Sequence, residues 1–344
     1  MKTEAVSRRH RARGLSLVEV LVALSIGVII LGAVLYTYIG SRSTYRLNYE
    51  MSRLQENGRI VMNMLERDLR MSAYAGCAGL STLKTPDAFV AARDDIRNGV
   101  SAEKITSIPA FTGTIGDIIY RLRAIAPSLN VGIEAIAADN KSLTVRYPDN
   151  AIPDGLVLIS DCRFGELLPI KMVTPAGSGQ FSLGLDEEIT QNFTPEYSRA
   201  FILPMAAGEI GISYDIVAVP SPEGGANILA LTRNGDELTD GIEAFRVCFG
   251  LGNAYASDSD DESKVTEYRL PESVTTDAEK ESITTVQVDM LLASASANVL
   301  EADVSQTFLL CGGDPAATVT RNDRRARKLF STTVSLRNKV WRGS

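Results

Sequence analysis

The chain has 344 residues, 45% hydrophobic, 22% charged and 6% aromatic, which suits one large or two ordinary folded domains and excludes a disordered or collagen-like polymer. Asp and Glu outnumber Lys and Arg by 42 to 35, and the net charge of −7 argues against nucleic acid as the main partner. The single histidine is His10, so a chain trimmed beyond it has no imidazole for Ser–His–Asp or Cys–His nucleophilic sites, HExxH zinc sites or histidine acid–base chemistry.

Residues 1–14 carry Lys2, Arg8, Arg9, Arg11 and Arg13 against Glu4. From Leu15 to Ile39 the chain is apolar with one charge, Glu19. As a helix this run rises about 37 Å, enough to cross a hydrocarbon core of about 30 Å with some tilt. The basic leader then stays on the cytoplasmic side, and everything after Ile39 is sent across the membrane. A secretory signal would end in small residues, whereas this run ends in Leu35-Tyr36-Thr37-Tyr38-Ile39. A plain anchor explains everything except Glu19: a carboxylate in lipid costs about 2.5–3.5 kcal/mol if central and less near the interface, so it needs a partner.

RARG-LSLVE, residues 11–19, resembles the class III signal of type IV pilins and type II secretion pseudopilins. The resemblance implies that a prepilin peptidase cuts between Gly14 and Leu15 and methylates the new amino terminus of Leu15. It also implies that Glu19, the fifth residue of the mature chain, forms an assembly salt bridge with the amino group of a neighbouring subunit. Electrostatics agrees, because an amine and a carboxylate in a low-dielectric layer attract far more strongly than in water and each relieves the other's burial. Two departures from the usual pattern are Leu15, where Phe is most common, and the lack of any Pro before Pro86.

The helical pattern continues over residues 40–76. Leu47, Met51, Leu54, Gly58, Val61, Leu65 and Leu69 form one stripe of 3.6-residue period, with Glu66 and Arg70 as an i,i+4 pair on another face. The stripe is expected to pack on the chain's own globular domain, and the helix to end near Tyr74-Ala75-Gly76-Cys77. Beyond Pro86 the period shifts towards two, with strand-like runs at 142–147, 155–161, 166–173, 209–220, 226–233, 241–250, 283–294 and 330–338. Turn signals such as Gly177-Ser178-Gly179 and Asn234-Gly235 separate them. Residues 80–135 are weakly patterned and read as mixed or irregular. The expected fold class is α+β: a long N-terminal helix packed on an antiparallel sheet, residues 77–344 forming the β-rich domain.

Residues 253–280 read as an acidic surface excursion. Asp258-Ser259-Asp260-Asp261-Glu262 offers oxygens to calcium but lacks the spacing of an EF-hand loop, so a solvated loop is preferred and no metal site is expected. The basic run Arg321, Arg324, Arg325, Arg327 and Lys328 reads as a solvated edge or subunit contact. Without the leader the balance is 30 basic to 41 acidic residues, which again speaks against nucleic acid. Cys77, Cys162, Cys248 and Cys311 are too far apart for a CxxC redox or zinc site. Their even number in an exported domain favours two disulfides; three pairings are open, and sequence neighbours suggest Cys77–Cys162 and Cys248–Cys311. No GxxxxGK[ST], GxSxG or GxGxxG motif occurs, so neither catalysis nor a cofactor or small-molecule substrate is expected.

Residues 44–77, TYRLNYEMSRLQENGRIVMNMLERDLRMSAYAGC, resemble the segment after the membrane helix in the PilW family of minor type IV pilins. DRRARKLFSTTVSLRN (323–338) is similar to that family's C-terminal strand and GIEAFRVCFG (241–250) to its mid-domain strand. The resemblance implies a periplasmic domain held in the inner membrane and a subunit that joins other minor pilins in a priming complex at the filament tip, starting assembly of the major pilin. A J-type pseudopilin of type II secretion and a membrane-tethered periplasmic binding domain are the alternatives.

Overall fold

The protein is seen in a computed structural model that describes residues 16–77, 82–113, 115, 118–147, 151–206, 208–252, 265–311 and 318–340. The fold is α+β. Helix α1 runs over Leu17–Arg70 and passes through two compact units, Met1–Tyr49 and Glu50–Ser344.

In the first unit the apolar side chains of α1 are exposed from Leu17 to Ile39, and its most apolar window is long and uncharged enough to cross a membrane. Two of its hydroxyls are satisfied inside the helix: Ser25 donates to the Leu21 carbonyl and Thr37 to that of Ala33.

In the second unit α1 buries Leu54, Gly58, Val61, Leu65 and Leu69, five members of the predicted stripe. Gly58 lies so near Phe330 that a Cβ would overlap its ring; here glycine provides room for close approach. The helix ends at Arg70, earlier than its sequence suggests. The Asn338 side chain donates to the Arg70 and Ser72 carbonyls, and the Ala73 N–H turns away to Ile125 O at 3.0 Å with Ala73 at φ 59°.

The helix-bearing core has two antiparallel sheets. One has the order β13 (Asp236–Asp240), β12 (Ile228–Arg233), β11 (Ile212–Val219), β3 (Tyr120–Ala124), β2 (Val100–Lys104). The other runs β15 (Val265–Arg269), β14 (Ile242–Gly252), β16 (Ile283–Ala293), β19 (Arg327–Ser335). A parallel bridge between Ile119 and Phe245 joins them. A hairpin of β17 (Val304–Leu309) and β18 (Thr318–Asp323) stands apart.

The β-rich domain, expected as an antiparallel sheet, holds more than the two sheets of the core. Between β3 and β11 lie β4 (Leu129–Ile136), β5 (Ser142–Arg146), β6 (Gly155–Ser160), β7 (Gly165–Gly177), β8 (Gln180–Leu185) and β9 (Arg199–Ala206). They follow the order β7-β6-β9-β4-β5-β8, and β7 also pairs β8, so the sheet closes into a barrel. Val131, Ile133, Leu143, Val145, Val157, Ile159, Leu168, Leu183 and Ile202 share a buried cluster. A second cluster packs Leu156, Leu158, Leu167 and Phe201 of the barrel against Ala92 and Ile96 of α2 (Val90–Asn98). Alternate residues of β6 therefore enter opposite clusters, and all six are buried. Residues 80–135, expected to be mixed or irregular, thus hold α2, β2 and β3 and most of β4 in regular structure.

Candidate functional site

Glu19 lies in the first turn of α1, where a carboxylate is favoured by the helix dipole, and its N–H is accepted by Ser16 Oγ at 3.2 Å. The Ser16-x-x-Glu19 spacing is that of a helix start. Glu19 is exposed, and no other charged residue occurs on the helix before Arg42. It is therefore an isolated acid in an apolar segment, a residue that invites a cation from outside its own chain. Gly14 and Leu15, the expected processing and methylation positions, lie outside the described residues.

The far end of the same helix is anchored by polar contacts that the apolar stripe did not announce. Asp68 is 7% exposed and accepts hydrogen bonds from Tyr214 Oη and Arg233 Nε, both at 2.7 Å. Burial, and then the charge of Asp68, push the Tyr214 hydroxyl well above the ordinary tyrosine range. Burial works against the charged Arg233, yet the hydrogen bond and charge of Asp68 outweigh it and the guanidinium titrates higher than usual. Arg53 pairs with Asp240 at 3.7 Å, and Asn57 donates to Thr239 Oγ1 at 3.5 Å, so β13 grips the helix further back. A sequence signal for Asp68 exists: it stands three residues after Leu65 and seven after Val61, on the flank of the stripe.

The segment after α1 is fastened covalently. Cys77 is bonded to Cys162, which follows β6, and Cys248 of β14 to Cys311, with Cα separations of 4.5 and 6.1 Å. The first is exposed and the second buried. At the first, Cys162 adopts φ 56° in a tight turn closed by the Asp161 carboxylate, which accepts the N–H groups of Arg163 and Phe164 and the Arg163 side chain. Burial would raise the Asp161 pKa, but those donors reverse the effect and hold it below the usual carboxylate value.

The basic run is not a free patch. Arg327, 6% exposed, is bidentate to Glu243 and also held by Asp323, while Arg321 meets Glu243 at 3.5 Å. Arg325 donates to Ser294 O and Arg324 to Glu301 O. The expected solvated edge is spent on internal ties, because Glu243 and Asp323 lie within reach of its alternate side chains. The acidic run 258–262, read as a solvated loop in preference to a calcium site, lies outside the described residues; among those described, no group of His, Cys, Asp or Glu is arranged to hold a metal. Within the described residues 265–280, the acidic excursion carries β15 and leads into a short helix α3 (Asp277–Glu281) opened by a Thr276–Glu279 capping box.

Comparison with known families gives two matches. Residues 9–35 match the prokaryotic N-terminal methylation motif, a stretch that takes in the end of the leader and the start of α1. Residues 224–338 match the family described as type IV pilus-assembly protein W, a stretch that runs from just before β12 through β19. No curated protein and no solved structure matches the chain. The barrel formed by β4–β9 lies wholly outside both matched stretches. Residues 224–338 are thus similar to the PilW family, whose proteins are of a structural, non-enzymatic kind, and residues 9–35 carry a prepilin-type signal; neither stretch reaches half of the chain. The signal implies processing by a peptidase and association with other pilus components, and with the apolar helix it points to inner-membrane anchoring of a globular domain.

Proposed function

We propose that this type IV pilus-related minor pilin takes part in starting pilus assembly, in a tip or priming complex with other minor pilins and ahead of the major pilin. In this reading residues 1–14 are removed between Gly14 and Leu15, Leu15 is methylated, and residues 15–39 form the membrane and filament-core helix. Residues 40–70 continue that helix, residues 71–76 lead from its end to Cys77, and the β-rich domain 77–344 lies in the periplasm. The single observation that carries the proposal is Glu19, an isolated carboxylate near the start of an exposed apolar helix. The methylated amine of a neighbouring subunit would neutralise it, and its desolvation would then favour assembly instead of opposing insertion. The protein would act by geometry: a helix that enters a bundle and a domain rigidly fixed to its second half through Asp68, Arg53 and the Cys77–Cys162 bond.

The test replaces Glu19 with Leu and follows the full chain in cells with and without the prepilin peptidase. The expected result is normal membrane insertion and processing, with loss of the chain from sheared filaments and a fall in pilus number. A Glu19→Leu chain that still supports piliation at the parental level overturns the assembly role. A mature terminus other than Leu15 overturns the processing step.

A further inference from the structure

Strand β19 is the outer strand of its sheet and is continuous over nine residues, with nine consecutive pairs to β16 and neither bulge nor proline. Other sheet edges are shorter: β2, β13 and β15 have five residues each, and the pairing beside β13 and β15 is interrupted by register shifts. Proteins usually blunt a long regular edge with bulges, prolines or repeated charge, because it displays unpaired N–H and C=O groups. Here Leu336 N–H bonds Thr284 O and Ser294 N–H bonds Ala326 O. With the register Thr285↔Ser335, this makes the even-numbered residues of β19 the ones that bond to β16. Leu329, Ser331 and Thr333 therefore turn their backbone donors and acceptors outward, and no strand pairs them there among the described residues.

Two of these, Leu329 and Ser331, border a cavity of about 580 Å³ on the sheet face, walled by Tyr268, Leu309, Leu310 and Leu329, with Ser331 and Gln287 at its sides and Asp289 in its floor. Asp289 is 2% exposed and accepts from the Cys311 N–H at 2.6 Å and from Ser331 Oγ at 2.5 Å. The floor is thus a satisfied carboxylate, and the walls remain apolar, Leu309 being 61% exposed.

We propose that the β19 edge and this cavity together form a strand-addition site for another pilus subunit. The occupant is an extended, proline-free segment that bonds to Leu329, Ser331 and Thr333 and sets an apolar side chain over the cavity. Backbone bonds supply affinity in such sites, and a pocket for one alternate side chain supplies selectivity. Self-pairing centred on Ser331 would place a serine over the cavity and leave its leucine walls uncovered, so the partner is a different chain. The surface is independent of Glu19; only the partner's identity rests on the minor-pilin reading.

The test uses the full chain, co-expressed with the major pilin and the other minor pilins of its own pilus and purified in mild detergent. Hydrogen exchange is read for the amides of Leu329, Ser331 and Thr333, alone and in the complex. Exchange slowed by about tenfold or more in the complex is the expected result. Thr333→Pro removes an outward N–H without touching the ladder to β16 and should lower recovery of the partner about fivefold or more. Leu309→Arg, at the cavity wall and already exposed, should do the same without unfolding the domain. Pilins that co-purify while these amides exchange as in the free chain overturn the edge site and leave the minor-pilin reading intact. A homodimer held by this edge in the absence of other pilins overturns the choice of partner. Failure of every pilin to co-purify counts against both.

Discussion

Substitution of Asp68 by Ala tests whether the polar anchor, and not only the apolar stripe, holds α1 to its domain. The carboxylate accepts from Tyr214 Oη, whose residue is 0% exposed, and from Arg233 Nε, whose side chain is 29% exposed. Truncation leaves the tyrosine hydroxyl buried without its acceptor, at a cost of about 1–3 kcal/mol. The guanidinium is reached by water, so its loss is discounted to about 1 kcal/mol. The sum is about 2–4 kcal/mol, and at about 2 °C per kcal/mol for a domain of this size the melting temperature should fall by about 4–8 °C. Asp68→Asn keeps one acceptor oxygen and should cost about half as much. The Asp68→Ala/Tyr214→Phe pair should cost less than the sum of its singles by about 1 kcal/mol, since both act on one network. Thermal unfolding of the full chain in detergent, followed by circular dichroism, measures the parent, the three single variants and the double variant. A melting temperature for Asp68→Ala within a degree of the parent, or strict additivity of the pair, would refute the reasoning.

Four further outcomes follow from this network and from other contacts of the fold. The Tyr214 hydroxyl keeps its proton more tightly in the folded chain than in the unfolded one, so its contribution is whole below about pH 10 and drains away as pH rises through the native value. Tyr214→Phe should therefore flatten the alkaline loss of stability, and an unchanged slope above pH 10 would exclude this residue as its source. Gly58→Ala should destabilise by about 1–3 kcal/mol through overlap with the Phe330 ring, and Phe330→Leu should recover part of that loss when the two are combined. Mild reduction followed by alkylation and mass mapping should label Cys77 and Cys162 before Cys248 and Cys311, because only the first pair is exposed. Loss of the first bond, which closes a separation of 85 residues, should lower stability by about 4 kcal/mol in the chain-entropy account.

The eight strand-like runs of the sequence all fall on strands, β5, β6, β7, β11, β12, β14, β16 and β19, since alternation or a solid apolar run is a local property. The closure of the barrel is not local: it depends on β8 pairing with both β5 and β7, and no residue of Gln180–Leu185 advertises a second neighbour. Strand β9 contains Pro204, which reads as a break, yet Pro204 sits at the end of the pairing with β6, opposite Gly155. In β3, Arg121 and Arg123 hide a strand by their charge; Asp215 and Glu209 pair with them while Tyr120 and Leu122 point into the core. Glu19 was legible because nothing else in its surroundings is charged. Asp68 is marked only by its place on the flank of the stripe, and Glu66, Arg67 and Arg70 beside it mask that signal by making one more acid look like ordinary surface.

Ile212 lies opposite Ala124 on adjacent strands, although residues 125–211 intervene. The inserted barrel thus leaves and re-enters the core at neighbouring points. Its hairpins, β4–β5, β6–β7 and β7–β8, pair between segments close in the chain, whereas β3 and β11 must find each other across the whole insertion. A barrel that closes first would shorten the loop that the β3–β11 pairing has to close and so reduce its entropic cost. In that order of events the insertion would prepare the sheet that surrounds it.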